Sequence, residues 1–100
     1  MKTSDDPIVT SSEIYGVIFE NEKVRVIKSI MKVGAKAQLH HHPDRVIYVV
    51  NGAHLKIKSS GMEWDNKILK TGDVYWASAV DHEVENIGPT DSYNIVVELK

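Results

Sequence analysis

The chain predicts an all-β fold, and three observations carry that expectation. From Glu13 onward, short apolar runs of alternating residues recur at the eight-to-twelve-residue spacing of sandwiches and barrels. Turn residues separate them: Gly34, Pro43-Asp44, Asn51-Gly52, Ser59-Ser60-Gly61, Thr71-Gly72-Asp73 and Gly88-Pro89. No segment shows a long helical periodicity.

The elements follow in order. Residues 1–12 are polar and punctuated by Pro7, and read as a flexible N-terminal arm whose Ile8-Val9 pair can add to a sheet edge. Residues 13–100 read as one domain. Ile14 to Glu20 is a first strand, broken at Asn21-Glu22. Val24 to Val33 is a second, with Val24, Val26 and Ile30 on one face and Lys28 interrupting. Ala37 to His42 follows the Gly34 turn and stops at Pro43-Asp44; Val46 to Asn51 is strongly apolar and β-branched, ending on a tight-turn dipeptide. Leu55 and Ile57 alternate with His54, Lys56 and Lys58, which sends His54 to solvent. Met62 to Leu69 is weaker, and strand or helix stays open there. Val74 to Ala77 is a short strand, Asp81 to Asn86 places His82, Val84 and Asn86 on one face, and Ser92 to Lys100 closes the chain with Ile95, Val97 and Leu99 in register. About nine strands of this length suit a closed or nearly closed antiparallel barrel or sandwich.

Bulk properties narrow the function. One hundred residues suit a single core. Twelve Lys and Arg against fourteen Asp and Glu give a net charge of −2, with no basic stretch for nucleic acid and no acidic tail for a cationic partner. The absence of cysteine removes disulfides, thiolate ligands and cysteine nucleophiles together. Lys2 is followed by the polar Thr3-Ser4-Asp5-Asp6-Pro7, and no run has the length of a secretory or membrane segment. The expectation is a soluble cytoplasmic protein.

Chemistry concentrates in three histidines. His40 and His42 are two residues apart, so on a strand they share a face while His41 turns away. A returning strand can bring His82 to them. Three imidazoles inside a small β-domain make a site for a divalent transition metal, with Fe, Cu, Ni, Zn and Mn all open. Such a set leaves positions free for water or substrate, as catalytic sites do.

These residues resemble the cupin family of small β-barrels. Its first motif, G-x5-H-x-H-x3/4-E-x6-G, is similar to Gly34 followed after five residues by His40, then His42 and Gly52; its second, G-x5-P-x-G-x2-H-x3-N, is similar to Gly72-Asp73 followed by His82-Glu83-Val84-Glu85-Asn86. The resemblance spans roughly Val24 to Lys100 and implies a jelly-roll barrel, the double-stranded β-helix, with a metal at its wide end held by His40, His42 and His82. Two departures stand out. Arg45 occupies the place of the family's glutamate ligand, and the second motif reads Trp76-Ala77-Ser78-Ala79-Val80-Asp81-His82, without its proline or central glycine.

Arginine cannot ligate a metal, but it can hold a carboxylate in a bidentate fork, so Arg45 is expected either to clamp an anionic substrate or to form a surface salt bridge with Asp44 or Glu83. Asp44 and Asp81 can supply a late carboxylate ligand. Tyr48 and Trp76 are expected to line the pocket and exclude water; the alternative is ordinary packing. Glu83 and Glu85 alternate away from His82 and read as solvated. No nucleophile elbow surrounds Ser78. The leading expectation is a metal-dependent cupin acting on a small organic anion, oxidative as in a dioxygenase or an isomerase or lyase; the alternatives are a non-catalytic binding barrel and a structural homodimer using its apolar outer sheet. Homodimerisation is expected under each.

Overall fold

The structure, a computed structural model, describes residues 3–100; Met1 and Lys2, the start of the expected arm, lie outside the described residues. It contains a four-residue helix α1 (Pro7–Thr10) and nine strands: β1 (Tyr15–Glu20), β2 (Val24–Met31), β3 (Lys36–His42), β4 (Arg45–Asn51), β5 (Ala53–Ser59), β6 (Asp65–Leu69), β7 (Val74–Ala77), β8 (Val80–Asn86) and β9 (Ser92–Leu99). The strands form a five-stranded sheet ordered β1-β2-β9-β4-β7 and a four-stranded sheet ordered β3-β8-β5-β6. Every pairing is antiparallel. This is the jelly roll implied by the motifs, and the ambiguous segment before Leu69 resolves as the edge strand β6.

Tight chain reversals need glycine at one crossing above all. A Cβ on Gly52 would stand 2.3 Å from the Leu69 carbonyl oxygen, well inside van der Waals contact. Only glycine lets the β4–β5 turn pass so close to the end of β6. The Gly52 amide then donates to Thr71 Oγ1 at 2.9 Å, and Thr90 Oγ1 donates to its carbonyl at 2.6 Å.

The core lies between the sheets. Ile27, Met31, Ile47, Val49 and Val96 project from the larger sheet against Ala37, Ala53, Leu55, Leu69 and Val84 from the smaller, with Ile14 and Tyr15 closing one side. Burial of this apolar surface is the main stabilising contribution.

Two strands present the opposite face from the one their apolar pattern predicts. In β2 the buried residues are Arg25, Ile27, Ser29 and Met31; in β9 they are Ser92, Asn94, Val96 and Glu98. The apolar sets Val24, Val26 and Ile30, and Ile95, Val97 and Leu99, face outward instead. The physical reason is the site: the inner wall of this sheet carries polar groups for a cavity, so alternation by hydrophobicity selects the wrong side.

The N-terminal segment also differs from expectation. Asp6 caps α1, its side chain accepting from the Ile8 amide at 2.9 Å with Pro7 in the first turn. Ile8-Val9 is therefore helical and adds to no sheet edge. Pro7 and Ser11 are buried, and the Asp5 carbonyl accepts from the His41 amide at 2.8 Å. Among the described residues no helix is long and apolar enough to cross a membrane.

Candidate metal centre

A β-bulge sets the aim of the histidine strand. Ala37 pairs with Val84 and His40 with His82, so β3 spends one residue more than β8 between the two pairs. Without that extra residue Ala37 and His40 would face opposite sides; with it Ala37, His40 and His42 all point inward. His82 arrives from β8 directly opposite His40.

The three rings converge. His40, His42 and His82 are 0%, 3% and 8% exposed. Ring centroids lie 4.8 Å apart for His40–His42, 4.7 Å for His40–His82 and 5.3 Å for His42–His82, each pair nearly perpendicular. One ring nitrogen from each falls within 4.8 Å of the other two.

Hydrogen bonds dictate which nitrogens are free. His40 Nδ1 lies 2.6 Å from the Gln38 carbonyl, which only accepts, so Nδ1 carries the proton and Nε2 the lone pair. His42 Nδ1 donates to Glu98 Oε2 at 2.9 Å, leaving its Nε2 free in the same way. His82 Nε2 is buried without any partner, which normally costs about 1–3 kcal/mol. The Tyr15 hydroxyl sits 3.4 Å from His40 Nε2.

All three imidazoles are held neutral. Burial pushes His40 below its ordinary value and drives His42 and His82 down to about 2; the Arg45 cation adds to the effect at each. Neutral imidazole is the ligating form, so the donor set suits a borderline divalent ion. The contact between His42 and Glu98 is accordingly a neutral N–H on a carboxylate rather than an ion pair.

Arg45 is inward, not a surface salt bridge. It is 5% exposed, and its Nη1 donates to the Ser78 carbonyl at 3.0 Å and more loosely to the Pro43 carbonyl at 3.4 Å. Across the inner wall it stands in register with Glu98, which in turn faces Arg25. With His42, His82 and Tyr15 it lines a cavity of about 360 Å³ whose remaining wall includes Leu55, Ile57, Val84 and Tyr75.

Tyr48 and Trp76 do not line it. They are 46% and 53% exposed on the outer face, because strand alternation turns their neighbours Ile47 and Tyr75 inward. Asp44 and Asp81 supply no ligand either: Asp44 accepts from the Ala79 amide at 2.8 Å, and Asp81 pairs with His41 on the surface at 2.6 Å. His54 bonds Asn66 Oδ1 at 3.1 Å, outside the cluster.

Tyr15, Tyr75 and Glu98 are the site residues that apolar patterning misses. Burial pushes the Tyr15 phenol far above its ordinary value, keeping its proton in place. Glu98 is 2% exposed and bound by both Arg25 and His42. The available signal was the polar set Ser92, Asn94 and Glu98 at alternate positions of one strand.

Comparison with solved structures agrees with the architecture. The chain is similar to a cupin domain from Bordetella pertussis Tohama I, with TM-score 0.79 and 25% identity over 87% of this chain and 92% of that one. It is similar to an RmlC-like cupin family protein with a double-stranded β-helix fold from Methanocaldococcus jannaschii, with TM-score 0.69 and 15% identity over 86% and 78% of the two chains. A predicted oxalate decarboxylase from Thermotoga maritima follows at TM-score 0.60 and 20% identity, over 85% and 77%. No protein-family model and no curated protein sequence matches the chain.

Proposed function

We propose that this small cupin is a metal-dependent enzyme acting on a small organic anion, with His40, His42 and His82 as the metal ligands. The observation that carries the reading is the buried, partnerless Nε2 of His82 beside two imidazoles whose Nδ1 protons are pinned elsewhere. A divalent ion there supplies Lewis acidity, and with iron or copper also redox capacity for dioxygenase-like chemistry. This chain's residues supply the rest.

Charge favours an anion. Arg25 and Arg45 balance Asp6 and Glu98, leaving the buried cluster neutral before any ion enters. A divalent ion on neutral imidazoles leaves two positive charges uncompensated, and burial already works against the Arg45 cation. An anionic substrate relieves both. Only Arg45 Nη1 is engaged by protein acceptors among the described residues, so the guanidinium retains donors for a carboxylate. The aliphatic wall of Leu55, Ile57 and Val84 takes an apolar body, and the Tyr15 hydroxyl, beside His40, is placed to donate a hydrogen bond to a bound anion. A non-catalytic barrel holding the same anion is the second reading, favoured by the aliphatic share of the cavity wall.

A second copy of the chain is the proposed partner. Phe19, Val26, Val97, Val46 and Trp76 form one continuous cross-strand row on the outer face of the five-stranded sheet. A face so poor in charge is not repelled by its own copy, and its exposed Phe19 and Trp76 suit an interaction surface.

Metal content measured by mass spectrometry on untagged protein, beside a His40→Ala/His42→Ala double variant, tests the site. Near-stoichiometric metal lost in the variant is expected. Little metal in either protein, even after reconstitution with Fe²⁺, Cu²⁺, Ni²⁺ and Zn²⁺, sinks the enzyme reading.

A further inference from the structure

Behind the histidines runs a chain of charged side chains that metal ligation alone does not require. Glu98 Oε1 accepts from Arg25 Nε at 2.8 Å, while Oε2 accepts from His42 Nδ1 at 2.9 Å. Arg25 continues to Asp6 through Nη1 at 2.8 Å and Nη2 at 3.2 Å. Asp6 is the cap of α1, and the carbonyl of Asp5 holds the His41 amide between the two ligand positions of β3. Four side chains on four segments thus form one connected path, Asp6–Arg25–Glu98–His42.

Stability does not account for it. A buried ion pair contributes about as much as it loses to desolvation, and apolar residues of similar size serve as well. The same sheet fills its next inner row with Ile27, Val96 and Ile47, so apolar packing was open to it here. What the carboxylate does that a leucine cannot is accept the His42 proton bond and fix the plane of that ring.

We propose that Glu98 is the positioning residue of His42, locking its Nδ1–H tautomer so that Nε2 faces the other two imidazoles, and that Asp6, acting through Arg25, makes the N-terminal segment part of the site. Glu98, the cross-strand neighbour of Arg45, thus acts one bond behind a ligand rather than as one. The consequence for metal affinity rests on the three-histidine reading; the effect on the His42 ring does not.

Two readouts separate those levels. In metal-free, ¹⁵N-labelled protein, long-range ¹H–¹⁵N NMR reads the His42 tautomer and the Nδ1 proton; Co²⁺ titration followed by visible absorption reads affinity. The wild type is expected to show one Nδ1–H tautomer with a low-field proton. Glu98→Ala is expected to mix tautomers and to weaken Co²⁺ by about 10–100-fold, the usual range for losing such a partner. Glu98→Gln, which preserves shape, is expected to move the proton upfield as a charge-assisted bond becomes a neutral one, and to weaken Co²⁺ about tenfold. Asp6→Asn keeps the helix cap and is expected to show a smaller loss in the same direction. An unmoved Nδ1 proton in Glu98→Gln, or a native tautomer in Glu98→Ala, overturns the proposal whether or not Co²⁺ binds. Wild-type protein that shows the tautomer yet takes no Co²⁺ overturns the metal reading alone.

Discussion

The outer faces of the two sheets differ in kind. On the four-stranded sheet, Lys36 opposes Glu85, His41 opposes Asp81 and Lys58 opposes Glu83, and Lys56 reaches Glu85 at 3.5 Å. On the five-stranded sheet the row Phe19–Val26–Val97–Val46–Trp76 has no charge, and the next, Gly16–Lys28–Ile95–Tyr48–Val74, has one. Inside the barrel the assignment inverts. The larger sheet contributes Arg25, Arg45, Glu98, Ser29 and Asn94 to the interior, whereas the smaller contributes three histidines and Asn86 among aliphatic residues. One sheet meets water with charges outside; the other turns its polar row toward the cavity and leaves a nearly uncharged apolar row exposed. Polarity on a strand therefore reports what each face meets, not simply which face is inside.

The largest expected effect breaks the polar inner row. Arg25→Ala leaves Glu98 and Asp6 without their shared cation, and a broken buried pair costs about 3–5 kcal/mol. Chemical denaturation should show a loss of that size with an unchanged slope. A loss below about 1 kcal/mol, the range of surface pairs, would mean that water already reaches these charges.

A smaller effect is expected on the outer row. Val97→Lys places a charge at the centre of the apolar face and should weaken self-association by about 1–3 kcal/mol, roughly 5- to 150-fold in Kd. Ile68→Lys, on the exposed face of the smaller sheet, should leave it unchanged. Analytical ultracentrifugation reads both. Equal behaviour of the two variants, or a wild type that stays monomeric at high concentration, removes the contrast between the faces.

Acid tests the imidazoles themselves. His42 and His82 stay neutral in the folded protein down to about pH 2, whereas in the unfolded chain they take up protons near 6.5. The unfolded state thus binds more protons below that pH, so the metal-free protein keeps its full stability above about 6.5 and loses it as pH falls. The slope approaches about 1.4 kcal/mol per pH unit for each histidine. Urea midpoints that stay level from pH 7 to 5 would show that the imidazoles are solvated and can be protonated in place.

Much of the fold was legible because it rests on punctuation and period. The turns at Gly34, Asn51-Gly52 and Thr71-Gly72-Asp73 fall where strands end, and the two-residue step from His40 to His42 survives as a shared face. Three things were not legible. The inner faces of β2 and β9 are hidden because a polar cavity wall defeats hydrophobic alternation. Tyr48 and Trp76 were placed inside although Ile47 and Tyr75 take those directions. The helix at Pro7–Thr10 is too short for any periodicity, and only the Asp6-Pro7 cap signals it. Glu98 joins the first group: a lone carboxylate between Val97 and Leu99 reads as surface until its strand's facing is known.

The central claim is that three neutral imidazoles converge to hold one divalent ion beside Arg45. Anomalous X-ray diffraction from crystals of the reconstituted protein, collected at the edge of the added metal, tests it most directly. The account predicts a single strong peak bonded to His40, His42 and His82, with an anion or water in the remaining positions on the Arg45 side. A peak elsewhere, or none where the three rings meet, would contradict it.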